Sequence, residues 1–303
     1  MSARRATVRG ALLVVLGALV APACGVVRPT AATVEGVRIS RDELETTLED
    51  LAEVGQLSLI GGVAPGDTVR GVLGSLIEAE ATRQLLAARG ESVTNADREA
   101  ARAGMEAAGQ LGTAPAFLET LVLDINSALV ARGRLGAPDD AEAREAYARE
   151  PATLGALCLR HLVVGSRDRA RALLAELRAG APFADVAAEH SDEPAAPRTG
   201  GVLAGPTGDC LGLREMWTSF DRDFVAGALR ARAGVPTDPV RSSFGWHVIL
   251  VRPYDEVADD LRAATAADPG AALLDGLLAT ADVSVDSAYG RWNPASGAVD
   301  PNT

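Results

Sequence analysis

Ala156-Leu157-Cys158-Leu159-Arg160-His161-Leu162-Val163-Val164 is the stretch on which the fold turns, because a helical sequence becomes strand-like there. Upstream, apolar residues recur at helical spacing. Ser40 with Glu43 reads as a capping box ahead of Leu44, Leu48 and Leu51. Asp67 opens a second helix that Gly90 closes, Thr94 with Asp97 caps a third, Ala114 to Ala131 reads as a fourth, and Asp140 begins a fifth that ends before Pro151. Before them, Thr33 to Ile39 is a short strand with a turn at Glu35-Gly36. Downstream, Ser166 caps a helix that stops at Gly180, and a short one runs from Pro182 to about His190. A loop rich in Pro, Gly and acids follows, then an irregular segment with Cys210, a helix from Phe220 to Arg232, and a strand from Gly245 to Val251. Strand, helices, loop, helix and strand within about 100 residues describe a compact α+β unit. One helix from Asp255 to Thr280, a strand-like Val283-Ser284-Val285 and a polar tail close the chain, a piece too small to fold alone.

Composition removes several function classes. All 29 basic residues of the 303 are arginine, which excludes a P-loop lysine, a Schiff base and a kinase strand lysine. A net charge of −12 argues against nucleic-acid binding, which needs a basic surface for phosphates. Nucleotide-binding, serine-hydrolase and haem motifs are missing from the sequence.

The N-terminus is a targeting segment. Arg4, Arg5 and Arg9 precede an apolar run from Ala11 to Ala21, too short for the ~20 residues of a membrane span and of signal-peptide length. Ala21-Pro22-Ala23-Cys24-Gly25 looks like a bacterial lipobox, with Pro22 an unusual member. Cys24 is then lipidated, with ordinary cleavage after Ala23 or an uncleaved anchor as the alternatives. Cleavage before Cys24 removes three arginines and takes the charge from −12 to −15. Export leaves Cys158 and Cys210 in an oxidising compartment, either as one disulfide or as two buried thiols. Neither has a histidine at metal-ligand spacing, and no two histidines have the helical spacing of a zinc site.

With these segments in place, the α+β half resembles the parvulin-type peptidyl-prolyl isomerases. The likeness rests on His161-Leu162-Val163-Val164, Ala179-Gly180-Ala181-Pro182-Phe183-Ala184, His190-Ser191-Asp192-Glu193-Pro194, Gly200-Gly201, and Phe244-Gly245-Trp246-His247-Val248-Ile249, in that order. The flanks are similar to exported folding factors of the SurA and PrsA type. The resemblance implies a signal peptide over 1–23, a lipidated linker over 24–32, and a helical chaperone domain over 33–154 completed by 254–303. A parvulin domain over 155–253 is inserted between them.

It also implies site residues. His161, Glu193, Ser242 and His247 match the polar floor, and Phe220 and Phe224, one helical turn apart, match the grip on the proline ring. Phe244 and Trp246 lie beside them in sequence. Five of the eleven aromatics fall within 217–246, which supports an aromatic cup there. Such a catalyst needs no metal or cofactor. An X-Pro bond faces a barrier of ~18–20 kcal/mol from amide resonance, and an apolar cup with a few neutral polar groups is enough to lower it. The expected substrates are unfolded or newly exported polypeptides with Xaa-Pro bonds, met outside the cytoplasm at the membrane. The alternative is a catalytically silent holdase. Two departures stand out: Val202 and Ala204 replace the family's acid and glycine, and Leu203 to Phe220 runs about eight residues long.

Overall fold

A two-residue turn starts the folded chain: Glu35 and Gly36, with φ of 48° and 78°, join β1 (Thr30–Val34) to β2 (Val37–Ser40). Positive φ at both central residues suits the right-handed twist of a hairpin. The computed structural model describes residues 29–302, so the arginines of the leader, the apolar run and Cys24 lie outside the described residues. Ser40 accepts a hydrogen bond from the Glu43 amide and caps α1 (Arg41–Glu53). Then come α2 (Gly66–Ala88), α3 (Asn95–Ala107), α4 (Ala116–Arg132) and α5 (Asp140–Arg149). Thr94 and Asp97 form a reciprocal capping box at α3, which satisfies two amides that the first turn leaves without partners.

The strand-like stretch divides at Cys158 into β3 (Ala156–Leu157) and β4 (Leu159–Val164). After them come α6 (Arg167–Arg178), capped by Ser166, α7 (Phe183–His190) and the single turn α8 (Ala196–Thr199). The segment expected to be irregular holds β5 (Leu211–Gly212), paired with β3, and a seven-residue helix, α9 (Leu213–Ser219). The helix expected from Phe220 to Arg232 is shorter: α10 spans Arg222–Leu229, with Asp221 as its N-cap. Then β6 (Val240–Ser242) turns into β7 (Gly245–Val251). The sheet order is β4-β7-β6, antiparallel throughout, with His247 opposite Val163 and His161 opposite Ile249.

The C-terminal helix is two. Asp268 caps α12 (Pro269–Thr280) and Pro269 occupies its first turn, so the chain restarts there after α11 (Tyr254–Thr265). β8 (Val283–Val285) pairs with β1, and the expected polar tail forms a hairpin of β9 (Arg291–Asn293) and β10 (Ala298–Asp300). Leu273, Leu274, Leu278 and Val299 from this segment share one core with Leu44, Leu73, Ile77 and Ala131 of the first half. A second core lies under the inner face of the β4-β7-β6 sheet, against α5, α9, α10 and α11. A third packs α6 and α7 on its outer face through Leu162, Val164 and Val248. The fold is α+β, a helical part closed by the C-terminal segment with the sheet unit between them.

Candidate functional site

Strand alternation puts His161 and His247 on the inner face of the sheet, two positions apart on neighbouring strands. Both are buried, at 6% and 4% exposure. Their Nδ1 atoms are 3.3 Å apart and their rings stack with centroids at 5.5 Å. His247 Nε2 lies 2.7 Å from Ser242 Oγ, which also accepts a hydrogen bond from the Phe244 amide at 3.0 Å.

These contacts couple the protons of the two rings. Two neutral tautomeric arrangements satisfy the contacts: with the Ser242 hydroxyl donating to His247 Nε2, His247 carries its proton on Nδ1 and donates it to His161 Nδ1, and in the reverse arrangement both bonds run the other way. In the first arrangement His161 holds its proton on Nε2, a buried atom with no hydrogen-bond partner in the described chain. Burial lowers the pKa of His161 from 6.5 to about 4. His247 also falls to about 4, through burial and then the neighbouring His161, against the opposing pull of Asp221 and Glu193. Both rings are neutral at physiological pH. The first arrangement ends the hydrogen-bond chain in a buried neutral N–H donor, and leaving a buried polar atom of this kind unmet costs ~1–3 kcal/mol.

An aromatic wall stands over the pair. Phe224 packs edge-on to both imidazoles, with centroids at 5.6 Å from His161 and 5.0 Å from His247, and Phe220 stacks on Phe224 at 5.7 Å. The two phenylalanines do not share a helix, as their spacing suggests. Phe220 ends α9 and Phe224 lies in the first turn of α10, so the rings meet across a helix junction.

Asp221 holds that junction, and the sequence reading passed over it. One carboxylate oxygen caps α10, accepting from the Asp223 and Phe224 amides. The other accepts from the Ser243 amide at 3.1 Å and from its hydroxyl at 2.7 Å. Burial works to raise the Asp221 pKa, but these hydrogen bonds outweigh it and the net shift is downward. The aspartate fastens the phenylalanine helix to the turn that carries Ser242. An Asp just before an apolar helix is a legible cap; its bond to Ser243, 22 residues away, is not.

Two motif loops brace β4. Gly201 accepts from the His161 amide at 2.8 Å and sits at φ 79°, and a Cβ there would collide with the His161 carbonyl oxygen. Ser191 Oγ accepts from the Val163 amide and Asp192 donates to the Val163 carbonyl, which brings Glu193 within electrostatic reach of His247. The glycines and the His-Ser-Asp-Glu loop thus fix the strand that carries His161.

Trp246 and Phe244 fall away from the site. Alternation along β7 sends Trp246 to the face opposite His247, where it packs with the α6 core and lies 5.3 and 5.6 Å from the guanidiniums of Arg167 and Arg241. Phe244 sits in the two-residue turn between β6 and β7 and is 78% exposed. A third aromatic of the crowded stretch, Trp217, packs against two cores at the joint with the helical part. Cys158 and Cys210 are joined by a disulfide with Cα atoms 4.1 Å apart, which ties the long segment to the start of β4.

The rotamase family, described as the PPIC-type PPIase domain, matches residues 165–253. That span includes Glu193, Phe220, Phe224, Ser242 and His247, and begins four residues after His161. The foldase protein PrsA of Clostridium kluyveri is 38% identical over 91 residues, covering 30% of this chain and 25% of that protein. The foldase protein PrsA 2 of Bacillus cereus is 31% identical over 108 residues, covering 34% and 35%. The chain thus spans only about a quarter to a third of the length of the curated relatives it matches. A crystal structure of the peptidylprolyl isomerase PrsA from Bacillus anthracis aligns over 68% of this chain and 95% of that one, at 21% identity and a TM-score of 0.27. Residues 165–253 match the PPIC-type PPIase domain and are similar in sequence to part of foldases named PrsA.

Proposed function

We propose that the chain is a peptidyl-prolyl cis-trans isomerase that assists the folding of exported polypeptides. The observation that carries this is the neutral Ser242–His247–His161 chain beneath Phe220 and Phe224. As an X-Pro bond twists, amide resonance is lost and the nitrogen lone pair becomes a hydrogen-bond acceptor. A stack of aromatic rings holds the pyrrolidine and excludes water. The His161 Nε2–H supplies a donor that gains an acceptor as the amide twists, so it favours the transition state over the ground state. Each tenfold in rate requires ~1.4 kcal/mol, within the reach of one such bond. Glu193 stands at the rim and tunes the potential at His247.

In this reading residues 155–253 are the isomerase unit, and 33–154 with 254–303 form a cradle for unfolded chains. Residues 1–23 are a signal peptide, and Cys24 is lipidated and holds the protein on the outer side of the membrane through the 24–32 linker. The silent-holdase alternative predicts no acceleration at all. The test is the rate of cis-trans exchange of Xaa-Pro peptides with the full chain, beside His161→Phe, which keeps a planar ring and loses the donor. Acceleration by the wild type, with kcat cut about tenfold or more in the variant, is expected. A wild type with no acceleration over varied Xaa overturns the proposal. Mass spectrometry of the native N-terminus separately tests the anchor, and an unmodified Cys24 rejects it.

A further inference from the structure

Charge is distributed very unevenly between the parts of this chain. Residues 155–253 hold 12 arginines against 11 acids, whereas residues 29–154 and 254–302 together hold 13 arginines against 30 acids. The isomerase unit is close to neutral on a strongly acidic body, and six of its twelve arginines line one pair of grooves. Two adjoining grooves of about 740 and 670 Å³ share Arg178, Asp238 and Pro239. Arg167 and Arg171 line one, Arg230, Arg232 and Arg241 the other, with Asp223 and Asp238 as the carboxylates present.

Pairing sharpens the contrast. Arg178 meets Asp238 at 2.9 Å, but the other five grooved arginines form no ion pair among the described residues. Arg167 and Arg241 are held against Trp246, and Arg171, Arg230 and Arg232 stand exposed. Exposed, unpaired guanidiniums gathered in a concave surface attract carboxylates, with forked hydrogen bonds that a point charge does not offer.

The grooves are the far side of the elements that build the proline site. Phe224 faces the histidines from α10, while Asp223, Ala226 and Gly227 of the same helix line the larger groove. Ser242 bonds His247 from β6, and its neighbour Arg241 faces outward to the groove. A helix is ~10 Å across and an extended chain advances ~3.3 Å per residue, so about three or four residues lead from a bound proline to the arginines.

We propose that this face selects clients, binding acidic segments about three or four residues from the proline being isomerised; the proposal rests on the isomerase reading. The acidic body repels such segments elsewhere, so the groove is their landing place on the isomerase unit. The same body disfavours approach to an anionic lipid surface, which is the other anion of suitable chemistry.

The test compares Xaa-Pro peptides carrying Glu, Gln or Lys at the third and fourth positions on either side of the proline. Full chain and the triple variant Arg171→Gln, Arg230→Gln, Arg232→Gln are assayed at low and high ionic strength. The expected result is kcat/KM about five- to tenfold higher for a Glu than for a Lys peptide, a preference lost in the variant and in salt while Gln peptides are unaffected. Equal rates for Glu and Lys peptides, with the Gln peptide still catalysed, overturn the proposal and leave the isomerase reading standing. If no peptide is catalysed the isomerase reading fails, and peptide binding by fluorescence anisotropy decides: Glu-selective binding supports the acidic-segment site and indifferent binding overturns it. Arginine-dependent binding to phosphatidylglycerol vesicles with no peptide selectivity overturns it in favour of a membrane surface.

Discussion

The histidine pair makes a prediction about acid. His161 titrates at about 4 in the folded chain against 6.5 when solvated, because its charged form would sit in a buried aromatic site. The folded value lies below the unfolded one. Between pH 6.5 and about 4 the unfolded chain therefore binds a proton on this ring that the folded chain refuses. The stability that follows is complete above 6.5 and is lost as the pH falls through that window. At ~1.4 kcal/mol per pKa unit the full loss is about 3 kcal/mol for His161 alone. His247 shifts in the same direction, but a charge on either ring opposes one on the other, so the two losses are not summed. The amount is a large share of the ~5–15 kcal/mol that holds an ordinary domain together.

Urea unfolding at a series of pH values reads this directly, with His161→Phe as the reference. Carboxylates contribute alike to both proteins, so the difference in slope isolates the ring. The variant should lose stability less steeply by about 1.4 kcal/mol per pH unit within the window. Isomerase activity per folded wild-type molecule should stay flat through pH 6.5 and fall only toward about 4. Nitrogen NMR of the rings at neutral pH should find the proton on Nδ1 of His247 and on Nε2 of His161. Parallel slopes in the two proteins, or an activity inflection near 6.5, refute the buried neutral pair.

Phe224→Ala removes a ring that touches both histidines and Phe220, and should cost about 3–5 kcal/mol of stability; Phe224→Leu, measured by thermal unfolding and exchange kinetics, should retain most of the fold and lose most of the rate. Replacing Cys158 and Cys210 together by Ala frees a loop whose ends are 52 residues apart. On the chain-entropy account this costs about 4 kcal/mol, read as a lower urea midpoint, and an unchanged midpoint refutes it. Arg214→Ala strips the partner from Asp275, which is 6% exposed and whose pKa burial already raises. With the arginine itself half exposed, a loss of about 1–3 kcal/mol is expected at neutral pH, shrinking in acid as Asp275 takes up a proton.

What was legible follows from how local the determinants are. Ser40, Thr94 and Ser166 announce their helices because the cap is made within three residues. The strand positions of His161 and His247 follow from the motifs, and so does the face opposite Trp246, since neighbours on a strand point apart. Crowding of aromatics in sequence misled there: it ignores parity. The restart at Asp268-Pro269 was also written in the sequence as a cap followed by a first-turn proline. α9 was not. Seven residues without a side-chain cap hold a helix only through distant partners, and those are set by the tertiary fold. The β9-β10 hairpin is likewise fixed from outside its own strands, by the Trp292 indole donating to the Leu278 carbonyl and by Arg222 pairing with Asp300.

That short helix explains why the long segment exists at all. At one end Cys210 is bonded to Cys158, and at the other Phe220 enters the site. Between them Arg214 pairs with Asp275 of α12 and with Glu78 of α2. Trp217 donates its indole N–H to the Pro294 carbonyl and lies against Gly297, where a Cβ would strike the ring. This helix of about two turns, with the Cys210 that precedes it, therefore touches the residue before β4, the phenylalanine wall and three elements of the acidic body. Contacts of this kind pack the 155–253 unit directly against the helical part. On the function proposed above, a client held by the body would meet the histidine pair with the acidic surface and the arginine grooves beside it.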